Sequence, residues 1–157
     1  MAERTLIILK PDALQRALVG KIISRFEEKG LQLVGMKMLT ISPELAAKHY
    51  APHVGKPFYE SLLRFMTSSP VVVMCLQGKG AIEIARKMMG ATFGFKAEPG
   101  TIRGDFGVSS SFNLIHGSDS PESAQTELAL WFKPEELATY DLANRVWTYD
   151  FSSGNPA

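Results

Sequence analysis

The chain reads as an α+β protein, a four-stranded antiparallel sheet with helices. Three observations predict it. Residues 5–9 (TLIIL) and 70–76 (PVVVMCL) are short, rich in β-branched residues and almost wholly apolar, as strands buried on both faces are. Apolar residues at helical spacing fill the segments between such runs. The resulting order is strand, helix, strand, helices, strand, helix, strand, helix. Helices inserted between four strands favour the ferredoxin-like, split βαβ arrangement over a doubly wound sheet.

Taken in order, the first strand closes at Lys10-Pro11-Asp12, where Asp12 can cap a helix with Gln15 as its capping-box partner. Ile22, Ile23 and Phe26 continue helically until Gly30 stops them. Residues 31–41 alternate as a second strand, and Ser42-Pro43-Glu44 opens a short helix. Residues 56–66 carry Phe58, Leu62 and Phe65 at helical intervals. After the central strand at 70–76, residues 79–89 place Ile82, Ala85 and Met89 on one side of a helix. A glycine-rich irregular stretch covers 90–107, and residues 113–116 form a short last strand. Ser120 as N-cap, with Pro121 at the first helical position, starts a helix reaching about Phe132.

At 157 residues the length fits one domain, 1–157, which buries roughly 70% of its unfolded-chain surface. Residues 151–157 have nothing to bury and are expected to be loose. A formal net charge of +1 supplies no general attraction to polyanions, so nucleic acid is not expected as the main ligand. The single cysteine, Cys75, sits in an apolar run and fits a reducing compartment. No run has the length of a membrane span or the form of a signal peptide, and a soluble, cytoplasmic protein is expected.

The stretch Asn113-Leu114-Ile115-His116-Gly117-Ser118-Asp119 carries the chemical signal. His116 could be a packing residue, a metal ligand or a nucleophile. With an unperturbed pKa near 6.5, roughly three-quarters of such rings are neutral at pH 7 and carry the lone pair that attack on phosphorus needs. Gly117 removes a side chain beside it. A nucleophilic ring also needs a group to hold its other nitrogen. On the following helix, Ala124, Glu127, Leu128 and Trp131 have the spacing of a buried stripe. Pattern alone leaves open whether Glu127 points inward, partnered by His116 and Ser118, or lies at the stripe's edge in water.

Metal-site spacing is absent. His49 and His53 lie four apart, but Pro52 between them argues against one continuous helix and a zinc pair. Lys10, Arg86 and Arg103 each have a bland reading as solvated charges. Gathered in one pocket they would hold a polyphosphate facing a neutral histidine, with Gly100 and Gly104 admitting backbone close to phosphate. That is the arrangement of a phosphoryl-transfer site.

The motifs NLIHGSD (113–119), TLIILKPD (5–12), PGTIRGD (99–105) and LWFKPEEL (130–137) together resemble the nucleoside diphosphate kinase family, from about Glu3 to Tyr149. The resemblance implies ping-pong transfer of the γ-phosphoryl group from a nucleoside triphosphate to a nucleoside diphosphate, through a phosphohistidine at His116. It implies that Glu127, supported by Ser118, holds the other ring nitrogen, and that Lys10 and Tyr50 stand by the transferred group. Arg86, Thr92 and Arg103 match phosphate ligands, and Asn113 a ribose ligand. Phe58 matches the aromatic on which the base stacks, with Leu62 on the same side of the cleft; stacking accepts any base. Mg2+ is implied with the nucleotide, held mainly by phosphate and water, with Asp119 reaching it through water. The resemblance also implies a homo-oligomer, tetramer or hexamer.

Four places depart from the family. Ser111-Phe112-Asn113 stands where G-R-N is usual, Ser110 replaces an apolar residue opposite the stacking aromatic, Pro52 replaces an acidic residue, and Thr92-Phe93-Gly94-Phe95 replaces a T-N-P turn. The competing expectations are a ferredoxin-like nucleotide or nucleic-acid binding regulatory module without turnover, and a phosphohistidine carrier that modifies other proteins.

Overall fold

A computed structural model describes residues 2–157. Four strands, β1 (Glu3–Leu9), β2 (Gln32–Leu39), β3 (Val71–Gly78) and β4 (Ile115–Gly117), form one sheet in the order β2-β3-β1-β4. Every neighbouring pair is antiparallel. The helices are α1 (Pro11–Gln15), α2 (Val19–Lys29), α3 (Pro43–His49), α4 (Tyr59–Met66), α5 (Ala81–Met89), α6 (Ile102–Phe106), α7 (Pro121–Trp131) and α8 (Arg145–Thr148). The β1-to-β2 crossover spans β3, and the β3-to-β4 crossover spans β1. Two interleaved split βαβ units result, the ferredoxin-like topology that the order of elements predicts.

Both faces of the sheet are covered, which explains the unbroken apolar runs of its central strands. Along β1, Ile7 and Leu9 join Ile22 and Phe26 of α2 and Ala85 and Met89 of α5 on one face. Leu6 and Ile8 join Ala46 of α3, Met66 of α4 and Trp131 of α7 on the other. Side chains alternate across a strand, so adjacent residues feed opposite cores. Among the described residues no helix is long and apolar enough to cross a membrane.

Most helix ends match their sequence signals. Ser42 accepts from the Leu45 N–H, Ser120 accepts from the Ser123 N–H, and prolines follow both. Gly30 ends α2 as expected. Phe58 is the N-cap of α4 rather than lying within a helix from 56. The stretch at 90–107 is not wholly irregular: Thr101 caps α6 by accepting from the Gly104 N–H. At the C-terminal segment Asp150 and Ala157 exchange backbone hydrogen bonds.

Asp12 does not cap. It lies inside α1, whose N-cap is Lys10, and Gln15 donates instead to Ser69. The Asp12 carboxylate is buried and accepts from the Leu114 N–H at 3.1 Å. Leu114 needs that partner: it is fully buried and has φ of 70°, a left-handed backbone that a leucine adopts only when held. A tertiary bond thus outcompetes the local cap and fixes the turn entering β4. Asp12→Ala should lower unfolding stability by about 2 kcal/mol, because a buried N–H loses its acceptor at a strained residue. An unchanged denaturant midpoint would refute this role.

Candidate active site

β4 positions His116. The ring's residue pairs with Ile8, so it points to the face where α3, α4 and α7 pack. Antiparallel pairing bonds Lys10 N–H to the Leu114 carbonyl and Ser118 N–H to the Leu6 carbonyl. By the same alternation, the carbonyls of Ile115 and Gly117 point away from β1 along the open edge. Two arginines occupy that edge: Arg103 Nη2 donates to Ile115 O at 2.6 Å, and Arg86 Nη1 to Gly117 O at 3.3 Å. Guanidinium groups therefore flank the histidine along its own strand.

Glu127 points inward. Its Oε1 lies 3.0 Å from His116 Nε2, and its Oε2 accepts from Ser118 Oγ at 2.5 Å. The Ser118 hydroxyl oxygen accepts in turn from the Leu6 N–H at 3.2 Å, so β1 anchors the chain of bonds. Burial opposes ionisation of Glu127, but the bonds from His116 and Ser118 outweigh it and hold the carboxyl below its ordinary range. An ionised carboxylate can only accept, so the proton between the two groups sits on Nε2, and in the neutral ring the lone pair is then on Nδ1.

Lys10 is buried, and its Nζ donates to Asn113 Oδ1 at 2.7 Å. Burial, and then Arg103 nearby, push its pKa down to about 8, against the pull of Asp12. Asn113 also donates to the Thr92 carbonyl at 3.0 Å, tying the loop after α5 to the same spot. Arg103 is only 5% exposed and donates to three carbonyls, those of Asn113, Gly90 and Ile115. Of its five N–H groups two remain for a ligand. Burial and the charge of Arg86 bring its pKa down to about 10, so the two guanidinium groups share one neighbourhood.

The opposite wall is α3, α4 and the turn between them. Tyr50 is buried, burial pushes its phenol pKa up, and its hydroxyl has no hydrogen-bond partner among the described residues. From it a run of rings leads outward: His53 lies 6.2 Å from Tyr50, and half-exposed Phe58 lies 5.5 Å from His53. Leu62 is half-buried on α4 in the second core. Phe65, on the same helix, stacks at 4.5 Å and 15° on Phe112 of the loop before β4. Asp119 is exposed, and the Ser123 hydroxyl, with Arg86 nearby, holds its carboxyl below the ordinary range. His116, Glu127, Ser118, Lys10, Asn113, Arg86 and Arg103 are thus brought together, whereas Phe58, Leu62 and Asp119 lie around them without direct bonds to the histidine.

Residues 3–137 match the sequence model of the nucleoside diphosphate kinase family. The chain belongs to that family. It is 58% identical over 148 residues to the nucleoside diphosphate kinase of Carboxydothermus hydrogenoformans, covering 94% of this chain and 99% of that one. The Microcystis aeruginosa enzyme is 57% identical over the same shares. A solved halophilic nucleoside diphosphate kinase from Halobacterium salinarum, in complex with CDP, superposes with a TM-score of 0.93 at 45% identity, covering 96% and 100% of the two chains. Membership of the nucleoside diphosphate kinase family makes the protein a phosphotransferase.

Against the family's motifs, two glycines act differently from their sequence reading. A side chain at Gly117 would not point at His116. Its Cβ would meet Met89 Sδ at 2.6 Å on the opposite face, so the Met89 side chain of α5 would have to shift to admit one. A Cβ at Gly104 would fall 1.9 Å from the Glu98 carbonyl, so that glycine serves the loop's own fold. One neighbour of His116 does not follow from the sequence pattern. His49 ends α3, with its ring 4.8 Å from that of His116 at 83°, and Trp131 Nε1 donates to its Nδ1 at 3.0 Å. His53 Nδ1 lies 3.0 Å from Lys56 Nζ. The usable signal was adjacency to Tyr50, which spacing arguments centred on metal pairs overlook.

Proposed function

We propose that His116 is the nucleophile of a ping-pong nucleoside diphosphate kinase. The supporting observation is the 3.0 Å contact between Nε2 and Glu127 Oε1, which places the proton of the neutral ring on Nε2 and the lone pair on Nδ1. In the first half-reaction Nδ1 attacks the γ-phosphorus of a nucleoside triphosphate. The N–P bond forms as the bond to the β–γ bridging oxygen breaks, and the diphosphate leaves with that electron pair. In the second, a terminal β-phosphate oxygen of an incoming diphosphate attacks the same phosphorus, and the N–P electron pair returns to Nδ1. The proton on Nε2 stays between His116 and Glu127 throughout, and Ser118 keeps the carboxylate in line.

Lys10, Arg86 and Arg103 neutralise the phosphates, with Thr92 beside them. The unpartnered Tyr50 hydroxyl is available to the transferred group, and Asn113 to the ribose. Phe58 and Leu62 receive the base by stacking and apolar contact. A divalent cation, Mg2+, would be held with the nucleotide mainly by its phosphate oxygens. Asp119 fits a water-mediated contact to it, being exposed and ionised. When bound, the cation offsets phosphate charge.

The exposed Phe93 and Phe95, and Met36 and Met38 on the edge strand β2, support a homo-oligomer, tetramer or hexamer. The buried free Cys75 supports a cytoplasmic location, and the single sheet supports one domain over 1–157.

Initial rates with donor varied at several acceptor concentrations should give parallel double-reciprocal lines, whereas intersecting lines would contradict a phosphoenzyme. Lys10 adds a pH signature. As pH rises through about 8 the free enzyme loses this charge, and KM for the triphosphate should climb severalfold between pH 7 and 9. Between about 8 and the ordinary lysine value the unfolded chain keeps a proton that the folded chain has released, so this group's share of stability improves with rising pH. A flat KM would remove Lys10 from phosphate binding.

A further inference from the structure

We propose that His49 is a positioning residue for the nucleophile, locked in one tautomer by Trp131 and set edge-on against His116 so that the ring cannot swing about its bond to Glu127. The inference rests on the reading of His116 as nucleophile.

A single tether does not fix an imidazole. Nε2 lies nearer the Cβ–Cγ axis than Nδ1 does, so a hydrogen bond at Nε2 only weakly resists the rotation that carries Nδ1 away from its target. A wall against the ring supplies the missing constraint. His49 provides one at 4.8 Å and 83°, on the face that α3 presents to β4.

The wall is itself held. His49 packs edge-to-face against Tyr50 at 4.6 Å and Trp131 at 5.4 Å, and its Nδ1 accepts the indole N–H at 3.0 Å. An indole nitrogen only donates, so Nδ1 of His49 must be bare and its proton must sit on Nε2. The ring is therefore neutral. The groups facing it are His116 from β4, Glu127 from α7, Lys10 following β1, and His53 from the turn after α3. Burial first, then His116, hold its pKa down to about 3, so no working pH charges it.

Neutrality has a chemical consequence. A cationic ring here would compete with His116 for Glu127, the group that keeps Nδ1 free. The same lock bears on metal capture. His49, His116 and Glu127 offer ligand atoms within 4.8 Å of one another. With the His49 lone pair taken by Trp131 and its other nitrogen protonated, His49 has no donor to give a cation, and the nucleophile stays available.

The test is single-turnover phosphorylation by γ-labelled ATP of the wild type, His49→Ala, His49→Phe and the double variant His49→Phe with Trp131→Phe. Thermal melting of each checks folding. His49→Ala should slow phosphorylation about 10-fold while the half-saturating ATP concentration moves less than about twofold, because orientation is lost without a substrate contact. His49→Phe keeps a planar ring but orphans the buried indole N–H, so it should melt lower. Removing that donor in the double variant should restore most of the rate, while the smaller ring at buried position 131 keeps melting below wild type. In 15N-histidine NMR, His49 Nδ1 of the wild type should report an unprotonated acceptor across pH 5–8.

Wild-type phosphorylation rates in His49→Ala, a double variant as slow as His49→Ala, or a protonated His49 Nδ1 would each overturn the inference. A wild type that forms no phosphohistidine would instead overturn the nucleophile reading, and the NMR tautomer would remain measurable.

Discussion

His116→Ala should reduce nucleoside diphosphate kinase turnover by at least about 10⁴-fold, with the fold intact, since the variant removes the atom that carries the phosphoryl group. Its neighbours make the case for an intact fold. His116 is a half-buried side chain on an edge strand whose open carbonyls Arg103 and Arg86 already occupy, and Ile8 beneath it is fully buried with its own core contacts. Nucleotide affinity should fall little, because the cations and the aromatic wall remain. Substantial residual turnover, above about 1% of wild type, would mean that a group other than His116 accepts the phosphoryl group.

Glu127→Ala should lower turnover by about 10²-fold and leave nucleotide affinity within about twofold. The carboxylate never meets the substrate in the proposed chemistry. It fixes which ring nitrogen is protonated and stabilises the charge that builds on the imidazole as Nδ1 bonds to phosphorus. Glu127→Gln should be milder, near 10-fold, because an amide oxygen can still accept from Nε2 without the compensating charge. Ser118→Ala should fall between wild type and Glu127→Gln, since Oε2 loses one bond while Oε1 keeps its own. An order in which the glutamine variant is as impaired as alanine would assign the effect to charge alone. Equal activity of all three with wild type would remove Glu127 from the mechanism.

These effects come from residues whose meaning was unevenly visible in the chain. The strands at 5–9 and 70–76 could be recognised because burial on both faces demands uninterrupted apolar side chains, and the caps at Ser42 and Ser120 because they act over three residues. His116, Glu127 and Ser118 lie within a dozen positions, so a strand followed by a helix brings them together almost locally. Spacing nevertheless left Glu127 undecided between core and water, and its two hydrogen bonds settle its direction.

Other features depended on contacts between distant parts of the chain. Asp12 carries a faultless local capping signal, yet its partner is Leu114, 102 positions away. Arg103 looked like a phosphate ligand in a glycine-rich loop. Its three backbone bonds give it a second task, holding the strand that presents His116, which no local pattern encodes. His49 was hidden for the same reason, since its partner Trp131 is 82 positions distant. The departure at Phe112 gains a physical sense only with its stack on Phe65, which joins the loop wall of the cleft to α4.

The central claim is that phosphorus becomes bonded to a ring nitrogen of His116. Brief incubation with γ-labelled ATP and Mg2+, followed by denaturation and peptide mapping, measures it directly. The label should appear in the peptide containing residues 113–119, survive alkali, be lost in acid, and discharge when a nucleoside diphosphate is added before quenching. Label on another residue, an acid-stable phosphate, or turnover with no labelled protein at any time would contradict it.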